Sequence, residues 1–160
     1  MLRTNRIFRA FSSISLVEHT PGIKTLLLSS PPVNTLTLPV LESLNEHLID
    51  LATNNPKGLV ICSTLKNTSA GLDLNYLVKQ ATETPDEFKA RITYYMNLFQ
   101  NAILLLVSAP YPTAAIVRGA APAGGTVISL ACDYRIAAKE SPLLMGLTEV
   151  QVGMYFLIMI

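Results

Sequence analysis

Short apolar runs alternate with longer segments of helical periodicity along this chain of 160 residues. The runs with the length and composition of strands are residues 15–18, 23–29, 58–63, 114–117 and 134–138. Thr20-Pro21-Gly22 predicts a turn between the first two strands. Apolar residues three and four apart predict helices at 37–52, with Thr37 as N-cap, and at 86–106. The second helix carries an apolar stripe that we expect to be core: Phe88, Ile92, Tyr95, Phe99 and Ile103.

The order of these elements predicts an α/β fold with a largely parallel sheet and right-handed crossovers. Residues 58–63 are apolar almost throughout, which is typical of a strand covered on both faces of such a sheet. Half of the residues are hydrophobic and 14% are charged, so the chain can bury one substantial core.

Composition and charge exclude several function classes. The net charge of +1 gives no indication of nucleic-acid binding. No apolar stretch reaches the roughly 18 residues of a membrane span. Cys62 and Cys132 lie in apolar segments, which favours two buried free thiols over a disulfide and hence a reducing compartment. His19 and His47 have no Cys or His close by in the sequence, so we expect no metal site.

The N-terminus differs in kind from the rest of the chain. Arg3, Arg6 and Arg9 precede the first acidic residue, Glu18, and apolar residues between them can share one helical face. This pattern is typical of a mitochondrial transit peptide, and we assign residues 1–15 to it. The alternative is an ordinary basic tail.

Two turns of small residues follow predicted strands. In the first, Gly124 and Gly125 stand where a helix should begin, so their amides are unshielded and have no partner within the helix. Such a turn can bind an anion or the oxygen of a polarised carbonyl. Glycine spacing alone is weak evidence for a binding site. The alternative is that the glycines only allow the helix to pack closely on the sheet. The second turn is Ala70-Gly71, and Asp73 after it can cap the next helix. Both turns would open at the same edge of a parallel sheet, where ligands bind.

Four stretches in this order resemble the crotonase (enoyl-CoA hydratase/isomerase) superfamily, and within it the mitochondrial enoyl-CoA isomerases. They are residues 31–36 (PPVNTL), 69–74 (SAGLDL), 119–136 (from GAAPAGG to CDYRI) and 146–153 (GLTEVQVG). The resemblance implies the ClpP/crotonase fold of repeated ββα units, which binds acyl-CoA thioesters. The resemblance covers almost the whole chain after residue 15, so we assign residues 16–160 to a partial crotonase-like domain. One departure is Thr68, where the family often has an aromatic residue.

The resemblance also implies residue roles. The backbone amides of Ala70 and Gly124 would form an oxyanion hole for the thioester oxygen, and Glu149 would be the catalytic acid/base. The substrate-binding residues would be Ala70, Gly71, Leu72, Asp73, Leu74 and Gly124. Hydratases of the superfamily carry a second glutamate at a position that corresponds here to Val127. No metal or redox cofactor is implied, since CoA enters as part of the substrate.

These roles predict isomerisation of a 3-enoyl-CoA to the trans-2-enoyl-CoA in β-oxidation of unsaturated fatty acids, in the mitochondrial matrix. Val127 disfavours a hydratase. The family continues beyond Gly153 with C-terminal helices that cover the site and form a homotrimer, whereas this chain ends at Ile160. We therefore expect an incomplete fold with an open trimer interface. The alternative function is an inactive protein that binds acyl-CoA or associates with other subunits.

Overall fold

The computed structural model describes residues 13–137, 139 and 142–148. Along these residues the elements are β1 (Ile14–Thr20), β2 (Ile23–Leu28), β3 (Thr35–Leu36), α1 (Leu38–Asn54), β4 (Gly58–Ser63), β5 (Gly71–Leu72), α2 (Leu74–Leu77), α3 (Pro85–Val107), β6 (Thr113–Val117), β7 (Ala120–Pro122), α4 (Gly124–Leu130), β8 (Tyr134–Ala137) and β9 (Leu144–Gly146).

Five strands form the main sheet in the order β1-β2-β4-β6-β8. β1 pairs antiparallel with β2, and each later strand is parallel to its neighbour. Helices connect the parallel strands, because a parallel pair needs a crossover connection. The predicted α/β class and largely parallel sheet are confirmed.

Two short parallel ladders lie outside the main sheet, β3 with β5 and β7 with β9. Neither ladder was predicted from the sequence. Each of their strands has only two or three residues. Such strands are too short for an alternating pattern, which needs about four residues to be recognised. β5 begins at Gly71 in one small-residue turn, and β7 ends at Pro122, two positions before Gly124 in the other.

The two long helices differ in how their first turns are capped. α1 begins after Thr37, as predicted, although the Thr37 side chain makes no capping bond. α3 begins with a capping box in which Thr84 and Glu87 bond each other's backbone amides. α1 packs against α3, where the buried Asn45 side chain donates to the carbonyl of Leu98 at 2.9 Å. No helix of the described residues is long and apolar enough to cross a bilayer.

Both cysteines are free, as predicted. Cys132 is buried, and burial raises the pKa of its thiol to about 11. Cys62 is only half-buried, which corrects the expectation that both thiols are buried.

Candidate functional site

The two small-residue turns lie against each other. A methyl group added to Gly71 would stand 3.1 Å from the carbonyl oxygen of Pro122 and 3.4 Å from the amide nitrogen of Gly124. One added to Gly125 would stand 3.1 Å from the Cβ of Ser69. The structure therefore brings together the turns that the sequence predicted to share one edge of the sheet.

Each turn presents a backbone amide that has no acceptor in the part of the chain that the structure describes. Gly124 is the first residue of α4, so its N–H has no partner within the helix. Among the described residues, no acceptor bonds the N–H of Gly124 or of Ala70. Gly124 is buried and Ala70 is exposed, so one donor lies inside the fold and the other at its surface. Two such donors on adjoining turns can stabilise negative charge on one oxygen.

A buried asparagine holds the Ala70 turn. Asn34 is 2% exposed and adopts a left-handed backbone conformation with φ of 54°. Its side-chain amide donates to the hydroxyl of Ser63 at 2.7 Å and to the carbonyl of Thr68 at 3.2 Å. The Ser69 hydroxyl donates to the carbonyl of Asn34 at 2.7 Å and accepts from the amide of Gly71 at 3.1 Å. These bonds fix the residues on both sides of Ala70.

Thr68 ties the same turn to the end of β6. Its hydroxyl donates to the carbonyl of Arg118 at 3.0 Å and accepts from the Arg118 amide at 2.8 Å. Gly119 follows with φ of 57°, and a methyl group there would stand 2.6 Å from the carbonyl oxygen of Lys66. Thr68 thus supplies two hydrogen bonds at a position where the family often has an aromatic ring.

The Gly124 turn is fixed to β9. The amide of Ala123 donates to the carbonyl of Gly146 at 2.8 Å. The Thr126 hydroxyl donates to the carbonyl of Ala121 at 2.5 Å and accepts from the Gly146 amide at 2.8 Å. β9 therefore runs beside the turn that carries the amide of Gly124. Glu149, three residues after Gly146, lies outside the described residues, as do residues 1–12 of the proposed transit peptide.

The remaining predicted site residues have separate environments. Asp73 caps α2, and one of its carboxylate oxygens accepts from the amides of Asn75 and Tyr76 at 3.0 and 3.3 Å. Leu72 is buried beside Gly124, whereas Leu74 is exposed. Val127 of α4 is half-buried against the core. Its side chain is a hydrocarbon and cannot transfer a proton.

Sequence reasoning missed the contribution of Tyr95 to this region. The tyrosine occupies the apolar stripe of α3 and is buried, as expected for core. Its hydroxyl, however, donates to the carbonyl of Leu36 at 2.5 Å and accepts from the Asp73 amide at 2.9 Å. A stripe of apolar residues gives no signal for such bonds, because the partners of the hydroxyl, Leu36 and Asp73, belong to segments distant in the sequence.

Comparison with known proteins gives the family context of this site. The family model for enoyl-CoA hydratase/isomerase matches residues 18–158. The chain is 34% identical over 135 residues to the mitochondrial enoyl-CoA delta isomerase 1 of Homo sapiens, covering 82% of this chain. It is 35% identical over 124 residues to the fatty acid oxidation complex subunit alpha of Vibrio campbellii, covering 76% of this chain and 17% of that one. The chain spans about half the length of the isomerases it matches, 42% of the human and 45% of the rat protein.

Solved structures show the same fold. The enoyl-CoA hydratase of Bacillus anthracis is 28% identical with a TM-score of 0.74, covering 89% of this chain and 53% of that one. DspI of Pseudomonas aeruginosa is 26% identical with a TM-score of 0.78, covering 94% of this chain and 54% of that one. The predicted crotonase-type fold is thereby confirmed, and the chain belongs to the enoyl-CoA hydratase/isomerase family.

Proposed function

We propose that this protein isomerises 3-enoyl-CoA thioesters, cis or trans, to trans-2-enoyl-CoA. The observation that carries the proposal is the pair of adjoining turns whose amides, at Ala70 and Gly124, have no acceptor among the described residues. Family membership and the similarity to mitochondrial delta isomerases support a thioester substrate. CoA enters as part of that substrate, and the reaction uses no separate cofactor.

In this mechanism the two amides hold the thioester oxygen. Glu149 removes a proton from C2 of the 3-enoyl-CoA, and the electron pair moves onto the thioester oxygen as a dienolate. The amides of Ala70 and Gly124 stabilise that charge as it develops. The same carboxylic acid then returns the proton at C4, so the double bond moves to C2–C3 and no atom is gained or lost.

The short sequence separation between Gly146 and Glu149 is compatible with this role for Glu149. Glu149 follows Gly146 by three positions, so their Cα atoms lie at most about 11 Å apart. Gly146 itself is bonded to the turn that carries the Gly124 amide. Adding water across the double bond would require a second proton-transferring group, and Val127 cannot supply one. The single carboxylate therefore favours isomerase over hydratase.

The experiment is an assay of the purified chain with a 3-enoyl-CoA, following the appearance of the 2-enoyl product. We expect turnover in the wild type and in Glu46→Gln, a control at an exposed glutamate of α1. Glu149→Gln should lower kcat by at least about 100-fold, which is the lower end of the range for losing a general acid/base. Unchanged turnover in Glu149→Gln would show that another group moves the proton.

The alternative function makes a different prediction in the same experiment. A folded wild type that binds acyl-CoA in calorimetry without converting it would be a binding protein rather than an isomerase. Acyl-CoA is the ligand in either case, and the amides of Ala70 and Gly124 remain the proposed contact to its thioester oxygen. A chain that neither converts nor binds the thioester would contradict both functions.

We further propose that the protein acts in the mitochondrial matrix. The Arg-rich residues 1–15 and the similarity to mitochondrial isomerases support this location. Fusing residues 1–15 to a fluorescent protein tests it: import that is lost when Arg3, Arg6 and Arg9 become glutamate supports the assignment, and import of neither fusion refutes it.

A further inference from the structure

One buried phenol of α3 bonds the two backbone segments behind the site. Tyr95 is 0% exposed. Its hydroxyl donates to the carbonyl of Leu36 in β3 and accepts from the amide of Asp73, the residue after β5. A tyrosine hydroxyl is protonated at physiological pH and can make both bonds, and burial raises the pKa of this one further, to about 12.

The two segments are also the ones that position the unpartnered amides. Leu36 pairs with Leu72 in the β3–β5 ladder. A methyl group at Gly124 would stand 3.1 Å from the Leu36 side chain and 3.5 Å from the Leu72 amide nitrogen, so this ladder packs directly on Gly124. Asp73 follows Ala70 by three residues. The phenol thus bonds one segment that packs on Gly124 and another that continues from Ala70.

Neighbouring side chains hold the phenol in place. The ring of Tyr76 lies 4.8 Å from that of Tyr95. Arg91, one turn earlier on α3, stacks over Tyr76 at 4.6 Å and donates to the carbonyls of Tyr76 and Val78. Arg91 also forms an ion pair with Glu83. α3 therefore holds α2 and the loop after it by several contacts around the Tyr95 ring.

We propose that Tyr95 is a positioning residue for the isomerisation, holding the Ala70 and Gly124 amides at the separation that binds the thioester oxygen. This inference rests on the proposed function. A role in core packing alone would require only the aromatic ring, which phenylalanine also provides. The hydroxyl is needed because it is shared between the two segments.

The test compares Tyr95→Phe with Tyr94→Phe, at temperatures where both variants are folded. Tyr94 is the adjacent residue, is 51% exposed, and donates its hydroxyl to Glu42 at 3.1 Å, away from the site. We expect Tyr95→Phe to lower kcat about 10- to 100-fold, with KM changed less than about threefold, since small displacements of aligned groups have effects of this size. A kcat within twofold of that of Tyr94→Phe overturns the proposal.

Amide hydrogen exchange tests the positioning role of Tyr95 independently of isomerase activity. If the wild type converts no 3-enoyl-CoA, the isomerase function fails and exchange decides the role of Tyr95. We expect amides 71–73 to exchange about tenfold faster in Tyr95→Phe, as for one lost hydrogen bond, with α1 unchanged. Unchanged exchange at residues 71–73, or acceleration that extends over α1, overturns the proposal.

A second pair of variants serves if Tyr95→Phe does not fold. Asp73→Ala removes the cap of α2 but keeps the amide that bonds Tyr95, whereas Asp73→Pro removes both. The φ of Asp73 is −74°, which suits proline. We expect the amides of residues 71 and 72 to exchange faster in Asp73→Pro than in Asp73→Ala. Equal exchange in the two variants overturns the proposal.

Discussion

Single polar residues inside the core determine where the Ala70 turn lies. The side-chain amide of Asn34 donates to the hydroxyl of Ser63 and to the carbonyl of Thr68. Its backbone carbonyl accepts from the hydroxyl of Ser69. Its left-handed conformation is one that asparagine tolerates better than most residues. In the described chain every fully buried side-chain N or O atom has a hydrogen-bond partner. Loss of the Asn34 side chain would remove its bonds to the Ser63 hydroxyl and the Thr68 carbonyl, and the bond that its oxygen accepts from the amide of Ser30.

We therefore expect Asn34→Ala to lower the free energy of unfolding by about 2–4 kcal/mol, because buried partners lose their bonds and alanine disfavours the positive φ. Chemical denaturation measures this change. The matched control is Asn54→Ala at the exposed end of α1, where the side chain bonds only the carbonyl of Asp50. That variant should change stability by less than about 0.5 kcal/mol. Equal effects of the two substitutions would show that the Asn34 network contributes little.

At the scale of elements, the regular structure was predictable and the short ladders were not. β4 has the predicted bounds, Gly58–Ser63. A short run that is apolar almost throughout is typical of a strand buried in a parallel sheet, so this strand could be predicted from its own sequence. β5 is only Gly71–Leu72 and exists because β3 lies beside it. Its pairing depends on the tertiary structure, which a local window of sequence cannot contain. The same holds for the Tyr95 bonds, whereas the glycine turns were recognisable from their composition.

The connection between β6 and β7 gives the element-scale prediction. Gly119→Ala should lower the free energy of unfolding by about 2–4 kcal/mol, because it adds left-handed strain and a clash with the backbone of Lys66. It should also disturb the Ala70 turn, since Thr68 bonds the adjoining Arg118. Gly58→Ala is the control: its φ is not positive and the nearest atom, 3.3 Å away, ends the flexible side chain of Ile23. Thermal unfolding compares them, and equal midpoints would contradict the clash.

For the molecule as a whole, the sheet has two different edges within the described residues. β1 and β8 are its outer strands. Ile14 in β1 is fully buried, whereas all four residues of β8, on both faces, are exposed. An exposed edge strand with apolar side chains can pair with another chain. The surface around β8 is therefore where the described part of the molecule should associate with itself.

Ile136→Lys tests this association. Ile136 is 56% exposed in β8, and a lysine there adds charge to the edge strand without displacing a buried group. The control is Ile49→Lys, which adds the same charge at a residue of α1 that is 53% exposed. In light scattering we expect the mass of the wild type and of Ile49→Lys to rise with concentration, and that of Ile136→Lys to rise less. If Ile136→Lys associates as strongly as Ile49→Lys, the contact surface lies elsewhere and the edge of β8 is not responsible.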